Sequence, residues 1–396
     1  MGRSDVSGLV ARVMKALRLY SNINSRRLLL LLMAAHILGT IVAYTFYIKV
    51  SSLGDGYSPK TFAAHTLLYS DGVRQISSAL MVHGVYAYLG AFLPGLFAPM
   101  ALALVVAIAT WHAFRDVYTQ VDRTLFWICN LFPHFLIWSG ASSKEQLLII
   151  FGIFVVSFSA KRSFVTSRLK LTSLVFVFLS LGVILWIRPN YFVIYFTIFI
   201  TSLFAPTLHK TKIYRLSIGI WTLVFFLTAV VAIILALFYT TLFSKDIIIF
   251  MERVEASFLG YKGGSNRTNI QWETVSDFIY NSLWGIPQGF IGPTLLEAIS
   301  KPIQFPVFLE GVVYLLILCY LFVKLFSAAA ASKMLRVHIL PYYFVALSIV
   351  YVSYPYLIFN AGSALRYKQS MHPILIFYPL LILAYAKTNN LIRKKL

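Results

Sequence analysis

Residues 171–207 read LTSLVFVFLSLGVILWIRPNYFVIYFTIFITSLFAPT, two long apolar runs joined by Arg188, Pro189 and Asn190 with almost no loop. Arg188 is the single charge in this stretch. A bilayer core takes about 20 apolar residues per helix. The runs 171–187 and 190–207 approach that length, so each reads as a membrane span.

The pattern recurs on both sides. Apolar runs at 28–48, 90–113, 124–140, 146–160, 216–243, 307–327, 338–359 and 372–388 bring the expected number of spans to ten. The 146–160 run is short, and the region 82–113 is long and broken by Pro94 and Pro99. Segment 278–300 is apolar but carries Gly285, Pro287, Gly289, Gly292 and Pro293. Gly and Pro at that density spoil a lipid-facing helix, so a re-entrant or interfacial piece is expected there. Composition agrees with the spans. Hydrophobic residues make up 59% of the 396-residue chain and Asp, Glu, Lys and Arg only 12%, against roughly 45–50% and about 25% in a soluble domain. The fold class is therefore all-α integral membrane protein. The first run has the length of a full span and no small-residue cleavage pattern after it, so an uncleaved first helix is expected. Cys129 and Cys319 each lie inside an apolar run, which argues against a disulfide framework.

The charges orient the chain. The N-tail 1–27 carries +5, loop 161–170 carries +4, loop 208–215 and loop 324–337 carry +3 each, and the tail from Lys387 carries +4. With a neutral loop 114–123, these segments hold +19 of the net +21. The alternate connections hold the remaining +2. Basic excess marks the cytoplasmic side, so both termini are expected there. The expected division is a basic cytoplasmic N-tail 1–27, a polytopic domain 28–388 with large outer loops 49–81 and 244–306, and a basic C-tail 389–396. Anionic lipid headgroups account for the basic charge, and nucleic acid is not an expected partner. Ten of the 13 acidic residues fall on the outer side, which is where chemistry is expected.

The first outer loop reads Leu53-Gly54-Asp55-Gly56-Tyr57-Ser58-Pro59. Asp55 follows the first span closely, and a carboxylate there can accept a proton from a sugar hydroxyl or hold a cation. An Asp among Gly, Ser and Pro is also ordinary turn chemistry. Next comes Phe132-Pro133-His134, leading to Trp138-Ser139-Gly140-Ala141-Ser142-Ser143-Lys144-Glu145. Ser142 or Ser143 suits a helix N-cap, and Glu145 then falls in a first turn that favours a carboxylate. Alternatively, Lys144 and Glu145 stand at the outer rim and face a polar site.

Arg188 either grips a substrate phosphate with its planar set of donors or snorkels to lipid phosphates. Gly260-Tyr261-Lys262-Gly263-Gly264-Ser265-Asn266-Arg267 lacks the strand–loop–helix context of a P-loop. Its amides, with Lys262 and Arg267, suit an anion or form a plain loop. Glu310 sits four residues into an apolar run, where an acid pairs or works. Asn360 to Lys368 brings Arg366, Lys368 and an amide into one outer turn that fits a phosphate. The eight histidines are scattered, most of them in or beside apolar runs, which points to packing or hydrogen-bonding roles.

The order of these pieces resembles the C-type bacterial membrane glycosyltransferases and the O-antigen-polymerase-like proteins of polysaccharide clusters. It runs over about 50–380: Gly54-Asp55 with Tyr57, Phe132-Pro133, Trp138-Ser139, Lys144-Glu145, Ile187-Arg188-Pro189, Gly263-Gly264-Ser265, Gly292-Pro293 before Glu297 and Glu310, and Asn360-x-Gly362 before Arg366. The resemblance implies a multi-pass protein of the bacterial inner membrane that works on cell-envelope polysaccharide such as lipopolysaccharide O-antigen. It implies a polyprenyl-phosphate-linked sugar donor and a glycan or lipid-linked acceptor. Asp55 matches the family acid of the first outer loop, with Glu145 and Glu310 as further catalytic candidates. Arg188, Arg366 and Lys368 would face the donor phosphate, with Lys144, Tyr57 and Arg267 as further substrate contacts. A divalent cation is compatible with this chemistry, though no ligand cluster in the sequence demands one. A block polymerase using two lipid-linked oligosaccharides is an alternative, and a transporter or flippase is another.

Overall fold

The computed structural model describes residues 25–48, 85, 89, 92–93, 96–141, 143–164, 170–208, 248–249, 252–256, 267, 270 and 274–389. Its elements are helical. In chain order they are α1 (Ser25–Val42, continued by a π-turn), α2 (Phe97–Phe114), α3 (Arg123–Asn130), α4 (Pro133–Gly140), α5 (Lys144–Phe164), α6 (Leu171–Ile187) and α7 (Pro189–Leu208). Then follow α8 (Val275–Ile291), α9 (Leu295–Ser300), α10 (Phe305–Ala331), α11 (Lys333–Ile358), α12 (Ala361–Ser370) and α13 (Tyr378–Thr388).

Five helices among the described residues are long and apolar enough to cross a membrane: Ser25–Thr45, Phe97–Phe114, Lys144–Phe164, Pro189–Thr207 and Pro302–Ala331. A sixth arises if Ala361–Ser370 and Pro373–Thr388, bent by 52°, count as one broken span. The expected ten are thus not all matched among the described residues, where Leu171–Ile187 is apolar but one residue short of that length. The 124–140 run is two short helices, because Pro133 disfavours helix at the residue before it, and Phe132 is extended at ψ 122°. The 146–160 run is longer than hydropathy alone shows, since Lys144 opens α5 and Lys161 and Arg162 fall in its last turn. The 216–243 run lies outside the described residues.

Segment 278–300, expected to be re-entrant or interfacial, is not among the helices long enough to span, and it is helical on both sides of a break. It forms a helix through Gly285, Pro287 and Gly289 as part of α8. The glycines let α11 approach closely: a Cβ at Gly289 would sit 2.6 Å from Leu357 and one at Gly285 2.7 Å from Tyr354. The helix stops at Gly292, whose φ of +93° suits a residue without a side chain.

The core is built around α5. Two-thirds of its apolar window is buried (67%), against 33% for the first span and for Pro302–Ala331. It packs on α2, α4, α6, α7, α12 and α13. By contrast, α6 and α10 expose Phe178, Leu179, Leu316 and Val323 along one side. That is the pattern of helices whose outer face meets lipid. Cys129 and Cys319 are free thiols.

Candidate functional site

The start of α5, the α6–α7 junction and α12 meet at one end of the bundle. Glu145 is 1% exposed there. Its helix is opened by Ser143, whose Oγ accepts from the Gln146 amide at 3.3 Å. A carboxylate in the first turn is favoured by the unpaired amides of the helix start. Arg188 ends α6, donating its amide to Ile184 O at 2.8 Å. Pro189 then opens α7, where its missing N–H costs nothing. This cap-to-Pro junction is why Arg188 sits between two apolar helices with no loop.

The two arginines converge on Glu145. Arg366 Nε lies 2.8 Å and Arg188 Nη2 3.6 Å from Glu145 Oε1. Both guanidiniums also lie over aromatic rings: Arg188 is 4.5 Å from the Tyr367 centroid, and Arg366 is 5.7 Å from that of Trp138. Their side chains are 29% and 19% exposed, so the pair is partly open where Glu145 is closed. A lone buried carboxylate would be costly, and two cations beside it offset that cost. Two arginines against one acid leave a net positive charge. Behind them a neutral network holds the floor. Gln146 Nε2 donates to Ser139 O at 2.6 Å and Pro99 O at 3.1 Å, and His36 Nδ1 and Ser139 Oγ are 2.7 Å apart.

A second buried group sits beside this one. Glu310 Oε2 is 2.6 Å from His134 Nδ1, and the His134 amide also donates to it at 3.3 Å. Lys368, 2% exposed, donates through Nζ to Phe290 O at 3.0 Å and lies 4.9 Å from the Tyr314 ring. His134 and Trp138 are one turn apart on α4, so the two groups neighbour each other along one helix face.

The expected outer turn from Asn360 to Lys368 is instead a helix. Asn360 caps α12 by accepting from the Ser363 amide at 2.9 Å. Successive helical residues are separated by about 100° of rotation, so Arg366 and Lys368 point to different neighbours. Arg366 joins Arg188, whereas Lys368 joins the Glu310 group. Lys144 is half-buried at the start of α5. Asp55 and Tyr57 lie outside the described residues.

Arg267 is committed elsewhere. Nε and Nη2 donate to the two Glu297 oxygens at 2.7 and 2.8 Å, Nη2 also donates to Gly292 O at 2.9 Å, and Nη1 donates to Ile358 O at 2.8 Å. Its guanidinium therefore braces α8, α9 and α11 together and has no donor left for a substrate. Burial opposes ionisation of Glu297, but Arg267 and the Thr294 amide outweigh it and hold the carboxyl below its usual value.

Reading the sequence alone gave His134 only a packing or hydrogen-bonding role and named no site role for Trp138, Tyr314 or Tyr367. The one available signal was the rule that an acid inside an apolar run needs a partner. That rule points to a partner for Glu310 without naming it. Among the described residues, no group of three or more His, Cys, Asp or Glu is placed to hold a metal ion. Comparison with protein-family models, curated proteins and solved structures finds no match for this chain.

Proposed function

We propose that this chain is a multi-pass bacterial inner-membrane glycosyltransferase. It would move a sugar from a polyprenyl-phosphate-type donor to a cell-envelope glycan or lipid-linked acceptor on the outer face. The observation that carries the reading is the pair Arg188 and Arg366, drawn together by buried Glu145, each backed by an aromatic ring. A planar donor set of that kind binds phosphate in two-pronged fashion, and the rings of Trp138 and Tyr367 hold the two guanidiniums in place.

In this reading the acceptor hydroxyl gives its proton to the Asp55 carboxylate as its oxygen bonds to the donor's anomeric carbon. The anomeric C–O bond breaks, and the polyprenyl phosphate leaves with the electron pair. Arg188 and Arg366 stabilise the charge that grows on the leaving phosphate. Glu145 acts as a positioning residue: it offsets the repulsion between the two arginines and fixes their geometry before substrate arrives. Glu310 is held by His134, which assigns it to orienting the acceptor rather than to proton abstraction.

The test is transfer of a labelled sugar from a polyprenyl-phosphate donor by the purified protein in liposomes. Turnover that is lost in Arg188→Lys and Arg366→Lys, with the fold intact, supports the reading. No transfer by the native protein from any lipid-linked sugar, or full transfer by both variants, removes it. One observation favours a second reading, translocation of a lipid-linked glycan. Glu145, Glu310 and Lys368 are buried among the helices at one end of the bundle, and intramembrane ionisable residues often line pathways. Movement of a labelled lipid between leaflets, without glycosidic bond formation, would select it.

A further inference from the structure

The opposite end of the bundle holds a shallow groove, open to the exterior, between α3, α10 and α13. Its deep wall is apolar: Leu125, Leu321, Ala328, Leu380, Leu383 and Ala384. Its titratable lining groups are Asp122, Tyr320, Lys324 and Lys387, with Gln120 at the margin. Asp122 is turned to the start of α3, where Oδ1 accepts the Leu125 amide at 3.1 Å. Lys324 lies 5.5 Å over the Tyr320 ring. Neither Lys324 nor Lys387 makes an ion pair among the described residues. Two cations against one acid, Asp122, thus leave a net positive charge beside an apolar trough on a helix, α10, whose outward residues Leu316 and Val323 are exposed and apolar.

We propose that this groove binds an anionic phospholipid of the inner leaflet. The phosphate would sit between Lys324 and Lys387, and the first part of an acyl chain would lie on Leu321, Leu380 and Leu383. Charge complementarity selects the headgroup, since a zwitterionic lipid brings its own cation toward the two ammonium groups. The apolar trough selects a lipid over free phosphate. Position agrees as well: segments 114–123, 324–337 and the tail from Lys387 belong to the side that the charge distribution marks as cytoplasmic. The groove gathers one residue or more from each of them. Basic pockets between membrane helices on that side are recognised sites for acidic headgroups. The proposal is independent of the reading of the Glu145 end.

The experiment uses the full chain in a neutral detergent, stripped of lipid. Short-chain phosphatidylglycerol, short-chain phosphatidylcholine and inorganic phosphate are titrated separately, and the thermal unfolding midpoint is followed. Phosphatidylglycerol should raise the midpoint saturably, while the other two leave it nearly unmoved. A double variant, K324Q with K387Q, should bind phosphatidylglycerol about 30-fold more weakly, since each lysine near a lipid phosphate is worth about one kcal/mol. Each single variant should fall in between. Lys161→Gln removes a cation at the same end, one paired with Asp116 at 2.8 Å, and should change affinity less than about threefold. Equal shifts with phosphatidylcholine reduce the groove to an apolar crevice and overturn the proposal. Equal shifts with inorganic phosphate, or unchanged affinity in folded single variants, do the same.

Discussion

Glu145 separates structural from functional demands at a single position. Removing its charge leaves Arg188 and Arg366 facing each other without the Glu145 carboxylate, and losing one partner of a buried pair costs about 3–5 kcal/mol. Partial exposure of the arginines places Glu145→Gln near the lower end of that range, about 3 kcal/mol. Adding Arg366→Gln should recover much of this stability, because the repulsion disappears. Transfer activity should stay lost in that double variant, because the phosphate grip is gone. Thermal unfolding and sugar transfer on the same preparations check both halves. Recovery of activity together with stability would make the cluster a structural device only. Arg188→Lys gives a complementary readout. Charge survives, so an arginine that only snorkels should tolerate it. An arginine that binds phosphate through two donors should lose at least about tenfold in turnover, since Lys is a point charge. Asp55→Asn keeps shape and removes the proton acceptor, so transfer should fall at least about 10²-fold with donor binding intact. Near-normal turnover in Asp55→Asn would shift the search for the base to Glu145 and Glu310.

At the scale of elements, contacts between helices decide what single helices can tolerate. Gly311 on α10 packs on the Ile291 carbonyl at the end of α8, and any Cβ there would strike backbone. Gly311→Ala should therefore destabilise by about 1–3 kcal/mol. Gly182 on α6 has nothing within 4 Å of a Cβ, so Gly182→Ala should be neutral or mildly stabilising. A reversed order of the two in thermal unfolding would reject the packing of α8 on α10. The Arg267 latch adds a pH test. The Glu297 carboxyl is held below its ordinary value of 4.5, so its contribution is complete above that pH and fades as pH falls through the lower folded value. Wild type should exceed Glu297→Gln in stability at neutral pH, and the two should converge in acid. Some of this was legible in the sequence. Apolar runs located α5, α7 and α10, whereas 124–140 was read as one span although Pro133 splits it into two helices. Arg188 between two spans announced a charge that needed a partner. Its partner was not legible, because Glu145 and Arg366 are brought to it by packing of α5 and α12. Nor was the fate of Arg267: a Gly-rich neighbourhood suggested an anion, and only the folded chain shows carbonyl oxygens and Glu297 around it.

For the whole molecule, the separation of the two ends is the strongest constraint. One end carries Glu145, Arg188, Arg366, Glu310 and Lys368, and the other carries the Asp116–Lys161 pair and the lysine-flanked groove. The sequence assigns the first end to the outside from the +19 against +2 split in charge. One helix shows the same split within its own length. α5 opens with Lys144 and Glu145, which cancel, and finishes with Lys161 and Arg162 in its last turn, so its net positive charge lies at the second end. A glycan donor displayed outside could reach the arginines only in this orientation, so topology governs the proposed chemistry. Single cysteines resolve it. Cys319 is exposed and must first be replaced, whereas Cys129 is buried and can stay. Ser300→Cys, on the exposed end of α9 near the first end, should react with a membrane-impermeant maleimide in intact spheroplasts. Asn389→Cys, exposed after α13 near the groove, should react only after lysis. The opposite result would put the arginine cluster in the cytoplasm, where a nucleotide-activated sugar rather than a polyprenyl-linked one would be the natural donor. It would also place the groove in the outer leaflet, where a more neutral lipid surface would deprive its lysines of their proposed occupant.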